Sequence, residues 1–177
     1  MNEPASDLLA AALAHHRGGN SAQAEQLYRQ ILAHDAINAA AWHLLGVLLL
    51  QTGRAAEAVD LIGRAIALEP TNSEYYSHLG AAFGALERHD DSVASLRRAV
   101  QTAPQSASAH YNLGTALRNA GQLESAVASF RHSIAADPAS PEAHYNLANT
   151  LSELKRPSEA EVSFREALRQ RPGYLKA

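Results

Sequence analysis

The sequence predicts an all-α chain in which five tandem helix-turn-helix repeats of 34 residues stack into a solenoid. Three observations carry this. Pro70, Pro104, Pro138 and Pro172 stand 34 residues apart without a slip, and Leu45, Leu79, Leu113 and Leu147 run at the same interval. Alanine and leucine dominate while Val, Ile, Thr and aromatic residues are sparse, which favours helix because the former lose little rotamer freedom against the preceding turn. Each period holds paired apolar-periodic stretches of about 13 residues, each long enough for a helix.

The copies follow in order. The first, residues 5–38, is degraded: it keeps Leu8, Ala12, Ala24 and Tyr28 but has Ala36 where later copies carry proline. Residues 39–72 carry Trp42, Leu45, Gly46, Leu49, Ala58, Ile62 and Pro70; residues 73–106 carry Tyr76, Leu79, Gly80, Phe83, Ser92, Leu96 and Pro104. In 107–140 the series is His110, Leu113, Gly114, Leu117, Ala126, Phe130 and Pro138, and in 141–174 it is His144, Leu147, Ala148, Leu151, Ala160, Phe164 and Pro172. Gly18-Gly19, Gly53 and Gly121 mark the turn between the paired helices, because glycine takes the left-handed conformation that ends a helix. Glu87 and Lys155 occupy that place in the third and fifth copies, so those turns are expected to be less well formed. The closing proline cannot continue a helix interior and punctuates the junction to the next copy. Gly46, Gly80, Gly114 and the small Ala58, Ala126 and Ala160 are expected to let the paired helices approach closely. No single pair can bury its apolar face alone, so neighbours must stack.

The series of an aromatic, Leu-Gly, a large residue, a small residue, another large residue and a closing proline resembles the tetratricopeptide repeat. The resemblance covers residues 5–174 and implies one domain over 1–177, a right-handed superhelical solenoid whose first helices line a concave groove. Second helices, with Arg54, Glu57, Asp60, Glu159, Arg165 and Glu166, would form the outside. No polar cap closes the array, and "GYLKA" stops just inside a sixth copy, so the chain is expected to be the N-terminal part of something longer.

Composition excludes several function classes. The chain of 177 residues is 46% apolar and 19% charged, ordinary for a folded protein. With 15 basic against 18 acidic residues, net −3, it lacks the positive charge to neutralise a run of phosphates, so nucleic acid is not an expected partner. The absence of cysteine removes disulfides and thiolate metal sites. The N-terminus has acidic residues before its apolar run and no basic region, unlike a signal peptide, and no apolar stretch approaches about 18 residues. A cytoplasmic protein without a membrane partner is expected.

No catalytic constellation emerges. The nine histidines form no HExxH and no His-rich tract. His110 and His144 fall where Trp42 and Tyr76 stand in their copies, a position that packs between helices, while His34, His89 and His132 fall near helix ends. There is no GxSxG, and serines at helix starts read as caps. The glycines follow the period rather than clustering around a phosphate. No metal, no cofactor and no enzymatic activity are expected in these residues.

What remains is the groove that the resemblance implies, drawn mainly from the second, fifth, sixth, ninth and thirteenth positions of each copy. The fifth position gives Leu9, His43, Ser77, Tyr111 and Tyr145; the sixth gives Ala10, Leu44, His78, Asn112 and Asn146. The ninth gives Leu13, Val47, Ala81, Thr115 and Asn149, and the thirteenth gives Arg17, Gln51, Ala85, Asn119 and Glu153. Asn112 and Asn146 each carry donor and acceptor, so a row of them can pair with the main chain of an extended peptide. This is similar to the asparagine ladder of O-linked N-acetylglucosamine transferases; the other reading is that the repeats drifted from a common ancestor with asparagine there. No Lys or Arg stands at the second, fifth or sixth positions, unlike family members that clamp a chaperone's C-terminal carboxylate. At the other end Leu9, Leu13, Leu44 and Val47 either are covered by the first residues of the chain or form a partner or self-association patch. The expected function is non-catalytic binding of a protein or extended peptide. Two alternatives stand beside it: the substrate-recruiting region of a larger enzyme such as a glycosyltransferase, and a self-associating scaffold.

Overall fold

A computed structural model describes residues 5–173, with side chains from residue 7 onward. The first residues, invoked above as a cover for the apolar end, and the final four of "GYLKA" lie outside the described residues. Among the described residues the structure is all-α, with ten helices and no strand: α1 (Ala5–Arg17), α2 (Ser21–His34), α3 (Ala39–Gln51), α4 (Ala55–Leu68), α5 (Ser73–Ala85), α6 (His89–Thr102), α7 (Ala107–Asn119), α8 (Leu123–Ala136), α9 (Pro141–Glu153) and α10 (Pro157–Gln170). The first helices start 34 residues apart, as the prolines predict. Chain contacts group the helices into two compact units, Met1–Glu87 and Arg88–Ala177.

In the first unit α1 packs on α2 and α3 on α4, while α2 meets α3 and α4 meets α5. Tyr28, Ile31, Leu45, Leu48, Leu49 and Ile62 are almost wholly buried between them. The second unit repeats the scheme with α7 on α8, α9 on α10, and α6 and α8 each meeting the following first helix. Val93, Leu96, Leu117, Phe130 and Leu151 form its core. Burying one such side chain stabilises by about 1.5–3 kcal/mol, so each core is the main source of its unit's stability.

The expected close approach is present. A Cβ at position 46 would lie 2.6 Å from Ile62 Cγ1, and one at position 114 would lie 2.7 Å from Phe130 Cε1. Both are inside contact distance, so these helices pack glycine backbone against a large side chain.

Every first helix after α1 opens on a side-chain cap. Asn38, Asn72, Ser106 and Ser140 accept from the backbone N–H of Ala41, Glu74, Ala109 and Ala143 at 3.0, 3.1, 3.2 and 3.2 Å. A second device fixes the same junctions. The residue at the fourth position of each copy after the first reaches back six residues to a carbonyl: Trp42 Nε1 donates to Ala36 at 2.8 Å, Tyr76 Oη to Pro70 at 3.1 Å, His110 Nε2 to Pro104 at 3.0 Å and His144 Nε2 to Pro138 at 3.3 Å. The histidines therefore do structural work where a Trp or Tyr stands in other copies. His110 also stacks on His132, ring centroids 5.1 Å apart.

The turns between paired helices differ from expectation. Gly19, Gly53 and Gly121 take positive φ of 76°, 81° and 72°, but Glu87 and Lys155 adopt the same conformation at 57° and 60°. The hydrogen bonds are kept: Lys155 N–H donates to Ser152 at 3.0 Å and Arg156 N–H to Leu151 at 2.9 Å, as Gly121 does to Arg118 at 2.9 Å and Gln122 to Leu117 at 2.8 Å. These turns are as well formed as the glycine ones, and the difference is backbone strain of about 1–2 kcal/mol per residue. The flanking helices, packed into their cores, dictate the turn.

Arginines just before the second helices pair with carboxylates on them. Arg54 pairs with Glu57 at 2.7 Å and with Glu25 at 2.9 Å, Arg88 with Asp91 at 2.7 Å, and Arg156 with Glu159 at 2.7 Å. Being exposed or only partly buried, each such pair contributes at most about 1 kcal/mol.

Candidate functional site

The residues expected to line a groove lie on the first helices. In the first unit Leu9 and Leu13 of α1, Leu44 and Val47 of α3, and Ser77 and His78 of α5 are half-buried. Leu9 and Leu44 rest on the unit's core. Gln51 is exposed, and its Oε1 accepts from His16 Nε2 at 2.8 Å, while the other nitrogen of His16 lies 3.2 Å from Tyr28 Oη. Ser77 is turned inward, its hydroxyl donating to Ser73 O at 3.1 Å.

His43 is buried, at 5% exposure, with its ring 4.4 Å from that of Tyr75 and 4.9 Å from that of His78. Its Nε2 lies 2.8 Å from Nδ1 of His78. Burial, and then the neighbouring His78, push the His43 ring down to about 4, and burial lowers His78 too. Both imidazoles therefore keep a lone pair at neutral pH. Glu74 lies one turn before His78 on α5, and a ligand atom from each of His43, Glu74 and His78 lies within 4.8 Å of the other two.

In the second unit Tyr111, Asn112 and Thr115 of α7 and Tyr145, Asn146 and Asn149 of α9 are half-buried, and Asn119 is exposed. The two tyrosine rings pack edge-on against second-helix rings, Tyr111 on Phe130 at 6.0 Å and Tyr145 on Phe164 at 5.8 Å. Asn146 Nδ2 donates to Tyr111 Oη and to Glu142 O, each at 3.0 Å, so both amide protons are engaged and its Oδ1 remains to accept. Thr115 returns its hydroxyl to Tyr111 O at 3.1 Å. Asn112, Asn119 and Asn149 make no side-chain hydrogen bond among the described residues. The two asparagines at the sixth position thus differ: Asn112 offers a whole amide, Asn146 an acceptor.

A rule missed by sequence reading connects these contacts. His16 to Gln51, His43 to His78, Tyr111 to Asn146 and Arg118 to Glu153 are each 35 residues apart, one repeat plus one residue. The fifth position of one copy meets the sixth of the next, and the twelfth meets the thirteenth. Neighbouring first helices are joined within each unit by these bridges, so polar residues at the sixth position serve the array as well as any ligand. The period was available in the sequence; the offset of one, which depends on how successive helices rotate, was not.

Among the described residues no helix is long and apolar enough to cross a membrane. No curated protein matches the chain by sequence. Among solved structures the chain is similar to MamA, with 22% identity over 91% of this chain and 94% of that one and a TM-score of 0.84. It is similar to MamA from Desulfovibrio magneticus RS-1, residue 41 to the end, with 20% identity over 98% of each chain and a TM-score of 0.87. YrrB, a tetratricopeptide repeat protein with an unusual peptide-binding site, matches with 23% identity over 97% of this chain and 88% of its own and a TM-score of 0.79. These likenesses show a shared fold. Two models of the tetratricopeptide repeat match the sequence itself, one over residues 16–82 and 117–177 and the other over 78–141. With helix pairs of that period, glycine backbones set against large second-helix side chains, and family models covering most of its length, the chain belongs to the tetratricopeptide repeat family.

Proposed function

We propose that this chain is a single five-repeat scaffold, without catalysis of its own, that binds a protein or an extended peptide along the faces of its first helices. The observation that carries this reading is the half-buried polar row of the second unit. Asn112 and Asn149 hold unused amides there, beside the free acceptor of Asn146 and the phenol of Tyr111. A half-buried amide without a partner is poorly solvated, and an extended main chain supplies the alternating donors and acceptors that would satisfy it. The likeness to YrrB, a peptide-binding protein, supports the same reading.

The test begins with a peptide selected for binding from a random display library, its affinity then measured by fluorescence anisotropy. Replacing Asn112 and Asn146 together by alanine removes hydrogen bonds worth about 0.5–1.5 kcal/mol each, so affinity should fall about tenfold with helicity unchanged. Tyr111→Phe removes the bridge to Asn146 but keeps the amide, and should cost less than the asparagine pair. Unchanged affinity in the double variant would refute an asparagine-based contact.

A further inference from the structure

We propose that His43, Glu74 and His78 form a binding site for a divalent transition-metal ion of the zinc type, built from two imidazole nitrogens and one carboxylate on the first helices of the first unit. Nothing in the tetratricopeptide fold requires this trio. It arises because the one-repeat-plus-one offset brings the fifth position of α3 against the sixth of α5, and both are histidine here. Where the same offset recurs in the second unit, the pair is Tyr111 and Asn146, which cannot ligate in this way.

The geometry is close to what an ion needs. His43 Nε2 and His78 Nδ1 stand 2.8 Å apart, with room for a single proton between them. A zinc ion bonds imidazole nitrogen at about 2.0–2.1 Å with tetrahedral angles, which sets the two nitrogens about 3.3 Å apart. The rings would have to open by about 0.5 Å, and His78, half-buried at the surface, has the freedom to do so. Glu74 is exposed, so its carboxylate can swing toward the pair, and its position one turn before His78 puts both on the same side of α5. Three protein ligands leave a position for water or for a donor from outside.

The pair is also prepared in other respects. His43 is buried and packed against the Tyr75 and His78 rings, so its orientation costs little further ordering on binding. Metal binding requires unprotonated imidazole, the form that an ordinary histidine side chain favours at neutral pH. Imidazole and carboxylate together suit zinc and its neighbours better than calcium or magnesium. Three of the other histidines are committed elsewhere: His110 and His144 donate to backbone carbonyls, and His16 bridges Tyr28 and Gln51. Among the described residues no other group of three ligating side chains comes together.

The test uses the chain purified without a histidine tag and stripped with chelator, titrated with zinc by calorimetry and with cobalt(II) by visible absorption. The expected result is one equivalent bound, with the intense absorption of four-coordinate cobalt, bleached by zinc. Losing even an outer partner of a metal site costs about 10–100-fold in affinity, so His78→Ala and Glu74→Gln should each lose about a hundredfold or more. A His15→Ala, His16→Ala variant should bind as the parent does. Circular dichroism confirms that the variants fold; His78→Ala and Glu74→Gln act at partly exposed positions, so the test does not depend on removing the buried His43. The proposal is overturned if the parent chain takes up no single equivalent, or if either His78→Ala or Glu74→Gln binds as well as the parent.

Discussion

Replacing Gly114 by alanine sets two opposed effects against each other. Alanine favours a helix interior by about 0.5–1 kcal/mol over glycine. At this site, however, the new Cβ would lie 2.7, 2.8 and 3.0 Å from Cε1, Cδ1 and Cγ of Phe130. Carbon atoms rest at about 3.5–4.0 Å, so the ring must retreat by about 0.8 Å. It has nowhere easy to go: Phe130 is wholly buried, and its ring meets the edge of Tyr111 at 6.0 Å. Overpacking of this kind costs about 1–3 kcal/mol, so the net effect is destabilisation by about 0.5–2 kcal/mol. Gly63 is the control, since a Cβ there meets nothing within 4 Å although it too sits inside a helix, α4. Gly63→Ala should therefore stabilise by about 0.5–1 kcal/mol. Urea unfolding followed by far-ultraviolet circular dichroism compares the two with the parent. A gain in stability from Gly114→Ala equal to that from Gly63→Ala would refute the close approach. In a Phe130→Leu background, which lacks the ring edge, Gly114→Ala should cost less than it does in the parent.

Two further outcomes follow from local features. Lys155→Gly relieves left-handed strain of about 1–2 kcal/mol while loosening the unfolded chain by about 0.4–1 kcal/mol, so it should stabilise by about 0.5–1 kcal/mol in urea titrations; a loss of stability would show that Lys155 is held by contacts rather than forced. The Arg29 hydrogen bond, with Arg54 beside it, holds the Glu25 carboxyl below its ordinary 4.5, so this group adds stability above that value and loses it as pH falls through the lowered one. Because the cluster is partly solvated, the gain is at most about 1 kcal/mol and should shrink in about 1 M salt. Unfolding midpoints at about pH 7 and about pH 3 should converge less in the parent than in Glu25→Gln, and an equal acid loss in both would count against it.

The fold was legible because its determinants are local and repeated. Four prolines, the leucine-glycine pairs and the small residues of the second helices mark helix ends and close contacts, which depend only on spacing along the chain. Glu87 and Lys155 were misleading because propensity at one residue was outweighed by the packing of the helices on either side. The site was legible only as a set of positions. That His43 lies buried against Tyr75, and that Asn146 is engaged while Asn112 is not, depends on side-chain meetings across neighbouring copies. The trio of His43, Glu74 and His78 was invisible for the same reason: only Glu74 and His78 have a spacing that suggests a shared site.

The reach-back from Trp42, Tyr76, His110 and His144 to a carbonyl six residues earlier has a kinetic side. A contact spanning six residues closes with a small loss of chain entropy, before any partner from another copy has to be found. Each junction is thus a latch that a nascent chain can shut on its own, and the stacking of copies is built on corners already turned. The latch asks for a flat ring tipped with a hydrogen donor and is indifferent to whether that ring is indole, phenol or imidazole. Phenylalanine, the aromatic that meets every demand of size and none of chemistry, stands at none of the four places.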